Sequence, residues 1–212
     1  MTKLFHALHH RRSVQRFVFA LFSFSVTCLA FPSLGGAQPS LDEPTRQKLK
    51  SGEILVEVIA DPQGTEALIN AVLDIAAPPS RLWAVMLDCE SSKRTIASLK
   101  SCRIVDKSPD GSCDVREHII QWVWPLPSVR SVFRSCYQPF RSIQFHRTGG
   151  DLAGLTGEWR LEPLSQGRAT RLFYQSRVSL GLPVPSSLVR AALNADIPKT
   201  LSALRREATG HE

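Results

Sequence analysis

Apolar and polar residues alternate through most of this chain with the period of half-buried strands, and prolines, glycines and aspartates break the alternation at regular intervals. Residues 53–60 (EILVEVIA) and 67–76 are two such runs, joined by the turn DPQGT into a hairpin. Pro78-Pro79 ends the second run, because proline has no N–H to give a ladder and fixes φ. The next segment, SRLWAVMLDCE, predicts a helix that carries Trp83 and Met86 and ends at Cys89. After a loop, strands are predicted over residues 102–108, 112–124, 129–138, 141–148, 154–163 and 169–179. Turn residues separate them, among them Pro109-Asp110-Gly111, Pro125-Leu126-Pro127, Pro139 and Gly149-Gly150-Asp151. An antiparallel meander follows. Residues 187–207 carry the longest helical pattern, with Leu193, Ile197, Leu201 and Leu204 on one stripe that the sheet must cover. Pro198 lies inside that pattern and predicts a kink. The fold class is α+β: a curved antiparallel sheet around a long C-terminal helix.

Side chains alternate across a strand, so registers counted from the turns sort the meander into two faces. Val115, Glu117, Ile119, Val132, Arg134, Cys136, Ile143, Phe145, Leu155, Trp159, Leu161, Leu172 and Tyr174 form the face expected under the helix. Arg116, His118, Gln144, His146, Glu158, Arg160, Arg171 and Arg177 form the wet face, which Trp122, Phe133 and Phe173 share. Glu117 and Arg134 are the two charges on the inner face, diagonal neighbours when Trp124 stands opposite Val129. Buried opposite charges either pair structurally or orient a polar group of a ligand. Both readings stay open, and both depend on a register that a slip of one residue inverts.

Residues 1–37 differ in composition. Lys3, Arg11, Arg12 and Arg16 precede an apolar run over residues 17–31, and Gly35-Gly36-Ala37 supplies small residues for cleavage. The run is shorter than the roughly 20 residues of a membrane span, so it reads as a secretory signal cleaved after Ala37 and sends the protein to the periplasm or outside the cell. Arg11-Arg12 leaves the export route open between the general and twin-arginine pathways. Residues 38–52 are a linker or lead-in helix, residues 53–207 one domain and residues 208–212 a tail. The leader holds four of the 26 Lys and Arg and none of the 19 Asp and Glu, so the net charge falls from +7 to +3 without it. The remaining arginines are scattered, which argues against nucleic acid and leaves only a weak, transient attraction to a membrane surface. Outside the leader four cysteines remain, and they allow three pairings in an oxidising compartment. Cys89 with Cys102 is expected, a short loop from a helix end to a strand start. The pairing of Cys113 with Cys136 is not fixed. No C-x-x-C or histidine ligand pattern suggests a metal, and no cofactor is expected.

The strand AVLDIAA, the Pro-Pro-x-x-Leu-Trp helix start, REHIIQWVWPLPSVRSVFRS, RTGGDLAGLTGEWRLEPL and IPKTLSALRRE together resemble the START-like superfamily of polyketide cyclase/dehydrase and coenzyme Q-binding START domains. The resemblance implies a helix-grip fold with an apolar ligand cavity. Trp83, Phe145, Trp159 and Tyr174 are candidates for its aromatic lining, Ile119, Leu193 and Ile197 for its aliphatic walls, and Glu117 with Arg134 for its polar anchor. The leading function is an exported protein holding a lipid, quinone or polyketide-like molecule. The rivals are a cyclase or dehydratase in which Arg134 polarises a carbonyl and Glu117 or Tyr174 moves a proton, and a filled domain without ligand. Motifs of ordinary catalysis (G-x-S-x-G, P-loop, H-E-x-x-H, Rossmann glycines) are missing.

Overall fold

The computed structural model describes residues 41–61, 66–121, 127–181 and 185–210. The leader and the Trp122 to Leu126 hairpin tip lie outside these residues. Asp42 caps α1 (Glu43–Lys50) by accepting from the Thr45 N–H at 3.2 Å, so the lead-in segment is helical. The hairpin of β1 (Leu55–Ala60) and β2 (Glu66–Ile75) is followed by α2 (Pro79–Leu87), opened by proline at a position where its missing N–H costs nothing. Where a loop was expected, α3 (Cys89–Thr95) follows, because Asp88 ends α2 and caps the next helix through the Ser91 N–H at 2.8 Å.

Six strands follow: β3 (Leu99–Lys107), β4 (Cys113–Ile120), β5 (Val129–Gln138), β6 (Ser142–Gly150), β7 (Gly154–Leu164) and β8 (Ala169–Ser179). The sheet order is β1-β2-β8-β7-β6-β5-β4-β3, antiparallel throughout, so β8 returns beside β2 and joins the first hairpin to the meander. The last helix, α4 (Ser186–Thr209), runs through Pro198 and packs on β1, β2, α2 and α3. Leu201 and Leu204 meet Leu73, Leu172 and Leu161 in one core cluster, and Val189 and Leu193 meet Ile69 and Val178 in another. Ser91 and Arg94 of α3 bond Glu207 of α4, which closes the helices over the sheet.

Two disulfides fix the β3–β4–β5 side. Cys89–Cys102, with Cα atoms 5.4 Å apart, ties the start of α3 to β3, and Cys113–Cys136, 4.1 Å apart, crosses between directly opposed residues of β4 and β5. Both bonds belong to an oxidising compartment.

The register corrects the expected faces. Residues 129–138 and 141–148 as strands leave a two-residue turn, whereas Gln138 pairs with Ser142 around a three-residue turn in which Phe140 takes φ of 60°. That one residue inverts β5 and β4 relative to β6. Glu117 stands opposite Val132, not Cys136, and the even-numbered Arg116, His118 and Ile120 face inward in place of Val115, Glu117 and Ile119. Phe133 likewise points inward and Arg134 outward, opposite His146.

Candidate functional site

Inverting β4 and β5 puts polar groups where the concave side of the sheet meets α4, around a cavity of about 250 Å³. Its floor is built by β4 (Arg116, His118, Ile120), β5 (Ser131, Phe133, Ser135, Tyr137), β6 (Ile143, Phe145), β7 (Leu155, Trp159) and β8 (Tyr174, Ser176, Val178). Leu193, Asp196, Ile197, Thr200, Leu201 and Leu204 of α4 form the roof, and Met86, Leu87, Thr95 and Ile96 close one end. The size lies near the lower end of ligand pockets, about 300–1,000 Å³.

Of the residues expected at the site, Phe145, Trp159, Tyr174, Leu193 and Ile197 line this cavity. Trp159 and Tyr174 stack with centroids 4.0 Å apart, and Phe145 lies nearly parallel to Tyr174 at 6.4 Å. Trp83 does not line it: the buried indole packs edge-on against Tyr137 and the half-exposed Phe140. Glu117, Ile119 and Arg134 lie on the outer face of the sheet. The Glu117 carboxylate accepts from Arg130 Nε at 2.6 Å and from Arg103 Nε at 3.1 Å, and those hydrogen bonds hold it below the usual carboxylate range. It is covered because two half-exposed arginines lie over it, not because it faces a core.

The buried ion pair of the inner face is instead Asp114 with Arg116, two residues apart on β4. Arg116 Nε donates to the Asp114 oxygens at 3.0 and 3.2 Å, and Nη2 donates to Asp114 Oδ2 at 3.0 Å, to the Leu87 carbonyl at 3.0 Å and to the Tyr137 hydroxyl at 3.1 Å. Both side chains are at most 7% exposed. Burial and the bond to Asp114 push the Tyr137 phenol above its ordinary range. Burial also raises the Tyr174 phenol.

His118 was expected in solvent. It lies instead inside, edge-on to Phe133 at 4.9 Å, with Nε2 buried and unpartnered among the described residues. Desolvation, helped by the Arg116 charge, lowers its pKa from 6.5 to about 4. The unfolded chain therefore binds a proton between those values and the folded chain does not. Stability is full above about pH 6.5 and falls by about 3 kcal/mol as the pH drops toward about 4. Urea unfolding at about pH 7 and about pH 4.5 should show this loss in the native protein and a smaller one in His118→Leu; equal losses would remove His118 as the cause.

Charge gives the sequence signal that reads β5 correctly. Its odd positions, Val129, Ser131, Phe133, Ser135 and Tyr137, contain no charge, whereas the even set holds Arg130 and Arg134. On β4 both sets mix apolar and charged residues, and the pattern alone cannot choose.

Solved structures share this architecture. The STAR-related lipid transfer protein of Xanthomonas axonopodis is similar at 17% identity and a TM-score of 0.61, over 74% of this chain and 93% of that one. Human STARD10 is similar at 13% identity and a TM-score of 0.60, over 82% of each chain. An aromatase/cyclase, Zhui, from a Streptomyces species is similar at 16% identity and a TM-score of 0.58, over 68% and 94%. At these identities the likeness is one of fold, and the fold is START-like. No curated protein matches in sequence. Residues 75–205, more than half of the chain, from the last residue of β2 through β3–β8 and most of α4, match the family described as polyketide cyclase / dehydrase and lipid transport, and the chain belongs to that family.

Proposed function

We propose that this is an exported protein that holds a hydrophobic small molecule, of lipid, quinone or polyketide-like kind, between β4–β8 and α4. The cavity carries the reading: its walls are mainly aliphatic and aromatic, with a few polar side chains set into them, the composition of a ligand pocket. Lipid transport in the family description and lipid transfer in the name of the similar Xanthomonas axonopodis protein support it. The basic and apolar leader, the small residues before Gln38 and the two disulfides support export. A cyclase built on Arg134 and Glu117 has less support, since both lie on the outer face and Tyr174 alone of the three reaches the cavity. Organic extraction of protein purified natively from the cell envelope, followed by mass spectrometry, should release an apolar compound in near-stoichiometric amount, from a chain beginning at Gln38. Protein that yields no compound and takes up no added apolar probe would overturn the binding reading, and a chain beginning at Met1 would overturn cleavage.

A further inference from the structure

The ionised groups of the cavity wall restrict what it accepts. Arg116 is the one cation of that wall among the described residues; its Nε and Nη2 are bonded to Asp114, the Leu87 carbonyl and Tyr137, and the Asp114 carboxylate balances its charge. A ligand carboxylate or phosphate would find only Nη1 uncommitted and would bring a second negative charge beside the buried Asp114 with no second cation to balance it, which costs more than the new bond returns. On the roof Asp196 adds a carboxylate whose bond is to the Ser98 hydroxyl at 2.9 Å, with no cation paired to it among the described residues. Among the described residues, an anion entering between β4 and α4 meets one cation whose charge Asp114 already balances and, on the roof, the carboxylate of Asp196.

Uncharged hydrogen-bonding capacity, in contrast, is left over. Ser131 Oγ, His118 Nε2 and Thr200 Oγ1 are buried without a partner among the described residues, and all three side chains belong to the cavity wall. His118 and Ser131 are directly opposed across β4 and β5, so two of them form one spot on the floor. Buried polar atoms are rarely left unsatisfied, and an apolar ligand lacking a polar group would seal them permanently. A hydroxyl rotor and an imidazole, both able to donate or accept, suit a hydroxyl or carbonyl oxygen.

We infer that the ligand is an uncharged amphiphile, an apolar skeleton bearing a hydroxyl or carbonyl that meets His118 and Ser131, and that the cavity rejects the corresponding carboxylate. This rests on the binding function proposed above and narrows it to a chemical class.

The test is a matched series at about pH 7.5 (naphthalene, 2-naphthol and 2-naphthoate), titrated calorimetrically into the ligand-stripped, disulfide-bonded protein. 2-Naphthol should bind about tenfold more tightly than 2-naphthoate and several-fold more tightly than naphthalene, the scale of one or two hydrogen bonds and of an unpaired charge. Ser131→Ala, a small change that keeps the fold, and His118→Leu, checked by thermal unfolding, should erase the preference for naphthol over naphthalene while naphthalene still binds. Asp196→Asn should reduce the penalty on naphthoate. Naphthoate binding as tightly as naphthol, or a naphthol preference untouched by both floor variants, would overturn the inference and leave the cavity reading standing. Failure of all three compounds to bind would overturn the two together.

Discussion

Removing both disulfides is expected to lower the unfolding free energy by about 6 kcal/mol and the Tm by more than 10 °C. Each bridge restricts the unfolded chain by closing a loop, of 13 residues for Cys89–Cys102 and 23 for Cys113–Cys136, and loops of that size are worth about 3 kcal/mol apiece. The loops do not overlap in sequence, so their effects should nearly add. Loss of Cys89–Cys102 frees α3 from the edge strand β3, and loss of Cys113–Cys136 frees the register of β4 against β5 on which the cavity floor depends. Paired Cys→Ser variants, one bridge at a time and then both, followed by urea unfolding, measure the effect. A double variant as stable as the native protein would show that the bridges contribute nothing to its stability.

Asp114→Asn is expected to destabilise by about 3–5 kcal/mol, because it leaves the Arg116 guanidinium buried without its counter-charge. Adding Arg116→Met should recover part of that loss, since an apolar side chain of similar length demands no partner. The comparison that makes the point is Glu117→Gln on the same strand. Its partners Arg103 and Arg130 are 66% and 50% exposed, so water replaces much of what the carboxylate supplies and the change should cost far less than Asp114→Asn. Equal effects at positions 114 and 117 would mean that depth does not separate the two ion pairs. Unfolding of the single and double variants in urea, with unchanged m-values as a check on the unfolded state, decides this.

Much of this architecture is legible in local chemistry. The hairpin of β1 and β2, the double proline that starts α2, four of the six later strands to within two residues, and the stripe Leu193, Ile197, Leu201 and Leu204 each follow from the spacing of apolar residues and from where proline and glycine interrupt it. Of the other two, β3 begins at Leu99, ahead of the expected residue 102, and β4 ends at Ile120, short of the expected residue 124. The helix α3 was hidden because Cys89-Glu-Ser-Ser-Lys-Arg-Thr has little apolar periodicity; its Asp88 cap was the available sign.

For the site the division is sharper. Phe145, Trp159 and Tyr174 lie on strands β6, β7 and β8, whose relative register the Gly149-Gly150-Asp151 and Gln166-Gly167 turns made countable, and their common face was read correctly. Arg116, His118, Ser131 and Tyr137 were missed as one group, by one turn. A strand pattern states which residues share a face but not which face is inside, and that choice passes from strand to strand through turn length. Pro139-Phe140-Arg141 makes a three-residue turn only because Phe140 adopts a left-handed backbone that its residue type does not favour, held where it meets Trp83. Sequence alone thus determined the elements, their order and the apolar face of the last helix, because these depend on neighbours within a few residues. Which charges are buried, and hence what the cavity can bind, was decided by contacts between residues distant in the chain, and only the assembled sheet supplies them.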